Sequence, residues 1–436
     1  MGFFGTIWHY LGPFLGATWW FLAFFPIFAI TFSTWLAWRQ RIFEHGLRWE
    51  MLEVRIPREI LKSARGMDQV LQSIGAMRNV AGDLQEKYWD GEIPRWTTLE
   101  MVSFGGEIHF YIRVYKKLRA LIEAAFYAFY PDIELVDVPP EEDYAKVLLP
   151  RTVGELNANG RALWGSEMVL TKSPMYPLKT YLEFENMEEM HQFDPMSAFL
   201  ETLSKVKPDE SFFIQYNIQP LWREWGKDFK AEFDELKAPK RVKVEDVGTP
   251  DEIGILAATV QRSPGQTQNL EIIERNLEKP AFEVSIRFMY LYPLGQYNDS
   301  FARRTVMSTF NQFADAGLNS FVRNNEMGTK TKSWNFPYVF PDLRVKLREQ
   351  RLLDFYRTRE MWTEARMGRI LSSHLFNFGW HSKPQILSSE SLASLWHPPS
   401  NLVLTGPHTQ RMESKKMGAP AGLPIYADDK VLEQFK

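Results

Sequence analysis

The sequence predicts an α+β fold in which an N-terminal transmembrane helix precedes two ferredoxin-like (split βαβ) units and a helical to extended C-terminal region. Three observations lead to this prediction. Residues 1–38 contain no Asp, Glu, Lys or Arg. Two segments in which apolar and polar residues alternate flank the pair Gly105-Gly106. The element order β-α-β-β-α-β is found twice along the chain.

The charge-free segment predicts a membrane anchor. Residues 11–38 form an apolar run, and roughly 20 residues suffice for a helix to cross the hydrocarbon core. The charges that follow are Arg39 and Arg41, so the positive-inside rule places the body in the cytoplasm and the short segment 1–10 outside. We expect a single-pass protein of the bacterial inner membrane that contacts lipid through residues 11–38.

Hydrophobic periodicity predicts the first ferredoxin-like unit over residues 50–140. The hairpin at Gly105-Gly106 is the strongest signal, because two glycines accept the positive φ angles of a two-residue turn. Pro57 and Pro131 end the elements that precede them. The predicted elements are strand 52–56, helix 67–77, strands 97–104 and 107–114, helix 118–129 and strand 133–138.

The same order predicts a second unit over residues 141–326, with a charged insert at about 221–280. Its predicted elements are strand 181–184, a helix from Pro195, strands 212–218 and 282–292, a helix at 307–313 and strand 319–323. Residues 327–397 are predicted to be a helical region, with a charged helix at 342–369. The Pro- and Gly-rich residues 398–436 are predicted to be an extended tail.

Composition and motifs exclude several kinds of chemistry. The 436 residues include no cysteine, which excludes thiolate sites. The formal charge of −3 does not favour a dedicated nucleic-acid binder. No window fits GxxxxGK[ST], GxSxG or HExxH, so a P-loop, a nucleophile elbow and a zincin site are not expected. The sequence predicts a non-enzymatic protein without metal or cofactor.

Two groups of residues remain as candidates. Strand period places Glu107, His109, Tyr111 and Arg113 on one face, and we favour a solvent or subunit interface over catalysis there. An enzyme centred on Glu107, His109 and Tyr111 stays as an alternative. Phosphate contact needs only local positive charge, so a membrane-tethered nucleic-acid-binding module is a second alternative. Its candidate contacts are Lys240, Arg241, Arg344, Arg348 and Arg351.

Several stretches between about residues 35 and 425 share a family pattern. They are Ile56–Glu59, Met67–Val70, Leu99–Lys117, Tyr130–Glu134, Asp194–Pro208, Phe213–Gln215, Ser388–His397, Glu413–Lys416 and Leu423–Pro424. Together they resemble the membrane-anchored N-terminal region, of unknown function, of type IV secretion-like ATPases of the coupling-protein and HerA/FtsK-like kind. In relatives with a motor, the P-loop domain starts shortly after the segment that resembles Ser414–Pro424.

The resemblance implies an anchor and adaptor that works with a separate hexameric P-loop ATPase. It supplies no catalytic residue. Since the sequence ends at Lys436, we expect the motor to be absent from this chain. We expect a structural or coupling subunit of a type IV secretion- or conjugation-like machine, self-associating through exposed sheet edges. Contact with nucleic acid is expected to be indirect, and a cell-envelope scaffold unrelated to transfer is a further alternative.

Overall fold

Within the part of the chain that the structure describes, nine strands form one broad antiparallel sheet. The computed structural model describes residues 3–57, 63–185, 194–221, 224–238, 263–325, 328–330, 340–361, 384–400 and 411–412. The strands are β1 (Trp49–Pro57), β2 (Thr97–Phe104), β3 (Glu107–Tyr115), β4 (Glu134–Val138), β5 (Arg161–Leu170), β6 (Ser211–Pro220), β7 (Ala281–Pro293), β8 (Phe321–Arg323) and β9 (Gln385–Ser388), with a short β10 (Arg411–Met412) added in parallel to β1.

Helices cover both faces of the sheet. They are α1 (Phe3–Gly46), α2 (Ala64–Ala76), α3 (Arg119–Phe129), α4 (Tyr144–Val147), α5 (Val153–Ala158), α6 (Tyr181–Glu185), α7 (Met196–Ser204), α8 (Lys230–Lys237), α9 (Pro264–Glu278), α10 (Val306–Asn311), α11 (Pro341–Thr358) and α12 (Ser389–Leu395). Single 3-10 or π-helical turns lie at Gln85–Asp90, Lys116–Leu118, Trp225–Phe229 and Ser300–Thr305. The predicted α+β class is confirmed.

The strand order is β4-β1-β3-β2-β6-β7-β5-β8, and every neighbouring pair is antiparallel. Strand β9 pairs with the first residues of β7, which do not pair with β5. The central pair, β2 with β6, runs in register from Thr97 opposite Ile218 to Phe104 opposite Ser211. This pair joins the two halves of the sheet into one surface.

The predicted hairpin is present between β2 and β3. Gly105 and Gly106 have φ angles of 58° and 96°, which L-residues with side chains rarely adopt. A Cβ atom on Gly105 would also lie 2.9 Å from the backbone of Pro208. Glycine is therefore needed at this turn both for its conformation and for the close approach of the chain before β6.

The two faces of the sheet have different cores. On one face a large apolar core lies under α2, α3, α7, α10 and α12 and includes Leu99, Phe126 and Trp396. On the other face a smaller core lies under α4, α5 and α11 and includes Tyr144 and Leu352. Because strand residues alternate between faces, Leu99 faces the first core and its neighbour Glu100 faces the second.

An apolar helix precedes the sheet, as predicted. Within the described residues, Thr18–Gly46 of α1 has the length and composition of a membrane span or of a signal sequence. The prediction ended the span at Trp38, but α1 continues without a break to Gly46. The strand β1 begins three residues later, so the apolar helix enters the body directly.

The second half of the sheet corrects two predictions. Its first strand is β5, which the sequence analysis missed, and the predicted strand 181–184 is the helix α6. Tyr181 and Phe184 are both buried, and a spacing of three places them on one side of a helix. The late helix also ends at Thr358 rather than continuing to residue 369. Residues 239–262 of the insert and most of the tail lie outside the described residues.

Replacing Gly165 of β5 with alanine should destabilise the fold, because the new Cβ atom has no room. It would lie 2.3 Å from the carbonyl oxygen of Phe288 and 2.7 Å from Cδ2 of Leu352 on α11. We expect Gly165→Ala to lower the free energy of unfolding by about 1–3 kcal/mol. Urea denaturation of the full-length chain in mild detergent, followed by tryptophan fluorescence, measures this change.

Gly154→Ala is the matched control, since its Cβ would meet only Thr152 Oγ1 at 3.9 Å. Gly154 lies in α5, where alanine is the better helix former, so its stability should stay the same or rise. Equal stabilities of the two variants would show that β5 and α11 are not in contact at Gly165.

Candidate functional site

A row of polar side chains crosses six neighbouring strands on the face of the sheet under α11. Each member stands directly opposite the next, and paired residues of antiparallel strands project from the same face. In spatial order the row is Glu53, Tyr111, Glu100, Gln215, Arg287 and Glu167. The last four are at most 1% exposed. Two carboxylates and one guanidinium of the row are thus enclosed in the protein.

Arg359 neutralises the centre of the row. Its guanidinium donates to both oxygens of Glu100 at 2.8 and 3.1 Å and to both oxygens of Asp143 at 2.8 and 2.9 Å. Burial disfavours the Asp143 carboxylate, but the hydrogen bonds and charge of Arg359 outweigh this effect and lower the pKa of Asp143. Burial likewise opposes the Arg359 cation, yet the two carboxylates raise the pKa of Arg359 well above its ordinary value.

Two tyrosines complete the shell around Glu100. The Tyr144 hydroxyl donates to Glu100 Oε2 at 2.9 Å and lies 2.7 Å from the Tyr356 hydroxyl. Burial and the nearby Glu100 charge raise the pKa of both phenols well above 10, so both stay neutral. Gln215 Nε2 donates to the other oxygen of Glu100 at 2.8 Å. Each oxygen of the carboxylate therefore accepts two hydrogen bonds from protein groups.

The row also binds the carboxyl end of α11. The last carbonyls of a helix have no intrahelical donor, and side chains of the sheet supply donors here. Arg359, with φ 59° and ψ 32°, ends the helix in the left-handed conformation. The donors are Arg287 to the carbonyls of Phe355 and Glu360 (3.3 and 2.7 Å), Gln215 to that of Tyr356 (3.1 Å) and Asn217 to that of Glu360 (3.3 Å).

The end of α11 also meets the base of α1. The Arg41 guanidinium on α1 lies 2.7 Å from the Glu360 carboxylate. Trp96 Nε1 donates to the carbonyl of Arg359 at 2.9 Å, and Arg113 donates to that of Thr358 at 3.1 Å. A continuous set of contacts therefore connects the apolar helix, the end of α11 and the polar row.

A charged cleft of about 960 Å³ opens beside this junction. Its lining includes eight Arg or Lys and five Asp or Glu side chains, among them Arg48, Arg151 and Arg357. Some cations are already paired, as Lys116 is with Glu50 at 2.7 Å. The excess of positive charge suits an anionic ligand better than a cation. Among the described residues no group of His, Asp or Glu has the arrangement of a metal site.

A second buried polar cluster joins Asp194, His397 and Ser400. Asp194 Oδ1 lies 2.9 Å from His397 Nε2, and Oδ2 accepts from the backbone N–H and hydroxyl of Ser400 at 2.9 and 2.8 Å. A nucleophilic triad places the histidine between the acid and the serine, whereas here the carboxylate lies in the middle. The cluster therefore holds residues 397–400 against the start of α7.

Burial disfavours the Asp194 carboxylate, but the charge and hydrogen bond of His397, together with the bonds from Ser400, lower the pKa of Asp194 to about 2. The His397 ring has an acceptor at each nitrogen, since Nδ1 lies 2.7 Å from the carbonyl of Ala393. Both ring nitrogens of His397 are thus engaged, which fixes the orientation of the ring.

The predicted polar face of β3 lies partly inside the protein. Tyr111 is buried and belongs to the row, and its ring stacks on those of His109 and Tyr144. His109 Nδ1 lies 2.8 Å from Glu53, while Glu107 is exposed at the hairpin. Arg113 lies over the Trp49 ring at 4.4 Å. Much of this face is therefore covered by the chain itself and is unavailable to another subunit.

Two of the predicted basic contacts are buried in the body. Arg344 and Arg348 are only 1% and 5% exposed, and Arg348 donates to the carbonyls of Asn325 and Gly328. They face inward because α11 packs these side chains against the body. Arg351 is exposed, and Lys240 and Arg241 lie outside the described residues.

Glu100, Arg287 and Arg359, the central residues of this network, were not among the predicted site residues. Glu100 and Arg287 are charged residues within otherwise apolar strands, at positions that alternate with core residues. Such charges require buried partners, and this was the available signal. Nothing local singled out Arg359, which is one of many charged residues in its segment.

Comparison with known proteins identifies a family. Residues 40–332 match the family model described as "Domain of unknown function (DUF8128)". No curated protein matches the chain. Among solved structures, one similarity is to xylooligosaccharide oxidase from Myceliophthora thermophila C1 in complex with xylobiose, at 12% identity and a TM-score of 0.25. The match covers 81% of this chain and 55% of the oxidase chain.

The expectation of a non-enzymatic chain is corrected, because one of the solved structures that resemble it is an oxidase. A likeness of this weakness does not show that the chain is an enzyme, and it carries no argument about a reaction.

Replacing Arg359 should strongly destabilise the body, since Glu100 and Asp143 would remain buried without their cation. We expect Arg359→Met to lower the free energy of unfolding by about 3–5 kcal/mol, the cost of breaking a buried pair. Arg359→Lys keeps the charge but not the forked geometry and should give an intermediate loss. Urea denaturation of the full-length chain in detergent measures both variants.

The control is Lys205→Met, which removes the exposed pair with Glu201 at 2.9 Å on α7. Exposed pairs contribute about 1 kcal/mol or less, so this variant should remain close to the native chain. A loss from Arg359→Met no larger than that from Lys205→Met would contradict the assigned network.

The Asp194 cluster should make stability depend on pH in acid. The pKa of Asp194 in the folded state, about 2, lies below its unfolded value of about 3.9. Its contribution, about 2–3 kcal/mol, is therefore complete above pH ~4 and is lost as pH falls through ~2. The stability advantage of the native chain over Asp194→Asn should shrink over this range in urea denaturation series. An advantage that is constant with pH would argue against a charged Asp194 in the folded protein.

Proposed function

The chain belongs to the family described as Domain of unknown function (DUF8128), and on this premise we propose that it is a membrane-anchored coupling or scaffold subunit of a type IV secretion- or conjugation-like machine. In this proposal α1 crosses the bacterial inner membrane with its N-terminus outside. The sheet and its helices form the cytoplasmic body. A separate hexameric P-loop ATPase is the proposed partner.

The observation that carries the proposal is the connection between α1 and the buried polar row. The helix runs unbroken to Gly46, and the pair of Arg41 with Glu360 attaches it to the end of α11. That end is bound in turn by Arg287 and Gln215 of the central strands. The anchor and the central strands are thus connected through the end of α11, as a coupling or scaffold subunit requires.

The strand order supports two ferredoxin-like units. In a split βαβ unit the four strands lie in the order fourth, first, third, second. The first half has the order β4-β1-β3-β2, and the second half has β8-β5-β7-β6. Strand β9 and the charged insert are additions to the second half. We propose that the two units are joined edge to edge by β2 and β6.

Self-association is part of the proposal. Among the described strands β8 is an outer edge, paired only with β5, and Val322 there is exposed. An unpaired edge offers N–H and C=O groups to another chain. The nucleic-acid alternative receives less support, because Arg344 and Arg348 are buried.

The test is a pull-down of the full-length chain from native membranes in mild detergent, with mass spectrometry of bound proteins and a size measurement. The resemblance places a motor beyond Ser414–Pro424, so deletion of residues 413–436 should abolish recovery of a P-loop ATPase. This deletion keeps β10 on β1 and Ser400 on Asp194. The control deletes only residues 430–436.

Recovery of an ATPase with the native chain and the control, but not with the 413–436 deletion, would support the coupling role. A large oligomer without any ATPase would replace it with a cell-envelope scaffold. A monomer without partners would contradict both roles.

A further inference from the structure

An aromatic turn of the body packs along α1. The turn, Leu84–Trp89, contains most of the π-helical segment Gln85–Asp90 and follows Asp83, whose side chain caps it by accepting from the N–H of Glu86 at 2.7 Å. The Tyr88 ring lies 5.7 Å from that of Phe32, and the Trp89 ring lies 6.1 Å from that of Trp35. The turn therefore touches α1 over the two helical turns that precede its first charges.

Contacts at the end of the turn fix it against the helix. Arg39 Nε donates to the carbonyl of Trp89, and the Arg39 guanidinium lies 5.9 Å from the Trp38 ring and 6.0 Å from the Trp89 ring. Gly91, with φ 69°, lets the chain pass so closely that a Cβ atom there would be 2.6 Å from the backbone of Arg39. The approach of the turn to α1 is thus specific.

The turn is nevertheless apolar on its outer side. Leu84 is 76% exposed and Trp89 is 65% exposed. Between the turn and α1 lies a groove of about 700 Å³ lined by Phe32, Trp35, Leu84, Gln85, Tyr88 and Trp89. Large apolar side chains grouped in this way mark a contact surface.

The position of the turn along α1 indicates what covers it. At about 1.5 Å per residue, Thr18–Trp38 spans ~30 Å, the thickness of the hydrocarbon core. The turn lies beside the last residues of this span and beside Arg39. Tryptophan, tyrosine and arginine are the residues that concentrate at the boundary between acyl chains and headgroups.

We propose that the Leu84–Trp89 turn is a second membrane contact, inserted at the boundary between acyl chains and headgroups, and that its groove against α1 holds a lipid acyl chain. This inference rests on the membrane placement of α1 in the proposed function. The uncharged part of α1 is longer than the hydrocarbon core, so hydrophobicity alone does not set how deep the helix sits. The turn sets that depth.

The contact is apolar rather than electrostatic. The turn contains Glu86 and Lys87 and is flanked by Asp83 and Asp90, an acidic excess that an anionic leaflet would repel. Insertion must therefore come from Leu84 and Trp89. Adding anionic lipid should not strengthen it.

The chain lacks cysteine, so single nitroxide labels can report depth without other substitutions. We would label Leu84→Cys, Phe28→Cys on α1 and Leu294→Cys, in full-length chain reconstituted in phosphatidylcholine nanodiscs. Leu294 is the matched control, an exposed leucine of the body at 57%. Power saturation compares accessibility to oxygen, which favours lipid, with accessibility to a water-soluble nickel chelate.

We expect the oxygen-to-nickel ratio to be several-fold higher at Leu84 and Phe28 than at Leu294, and to be unchanged by added anionic lipid. A Leu84 label that behaves like Leu294, with Phe28 in lipid, would overturn this inference and leave the anchor intact. A Leu84 label shielded from both reagents would overturn it in favour of a protein partner. A Phe28 label in water would overturn the proposed anchor itself.

Discussion

The buried cation Arg359 is the constraint on which the centre of the structure depends. Removing a charge from water costs several kcal/mol, which good geometry and complete hydrogen bonding must offset. Here Glu100 and Asp143 share one guanidinium, and each accepts two of its hydrogen bonds. No shifted position of α11 would keep those four bonds. The pairing therefore fixes where the helix ends on the sheet.

Apolar packing alone would fix that position less well. Leu352, Leu353 and Tyr356 of α11 pack on the sheet, and aliphatic contacts of this kind tolerate repacking. The row of polar partners does not tolerate such repacking, since a shift of α11 would leave buried charges unpaired. The network thus contributes positional specificity more than net stability, and it holds the left-handed conformation of Arg359, which itself costs of order 1 kcal/mol or more.

The sequence predicts the local elements well and the long-range partners poorly. The alternating segments around Gly105-Gly106, the faces of α2 and α3 and the long strand β7 follow from short-range periodicity. Strand β5 was missed because Gly165, Ser166 and Glu167 interrupt its apolar pattern. Those residues are small or charged for a tertiary reason: Gly165 lies under α11, and Glu167 pairs with Arg287.

The candidate site could not be predicted for a related reason. Glu100 and Arg359 are 259 positions apart in the chain. The charged residue at the end of a helix does not indicate which strand it will contact. The mistaken strand at 181–184 shows the same limit, because four residues are too few to reveal a period.

The contacts of α1 with the body differ in how firmly they fix the orientation of the helix. The pair of Arg41 with Glu360 is half exposed on the arginine side, and such pairs contribute about 1 kcal/mol or less. A single contact of that strength would leave the helix free to tilt. The Leu84–Trp89 turn adds aromatic packing over two further turns of α1, and Gly91 permits its close approach. Two contacts at different levels resist tilting where one does not, so the orientation of the body relative to its anchor depends chiefly on the aromatic turn.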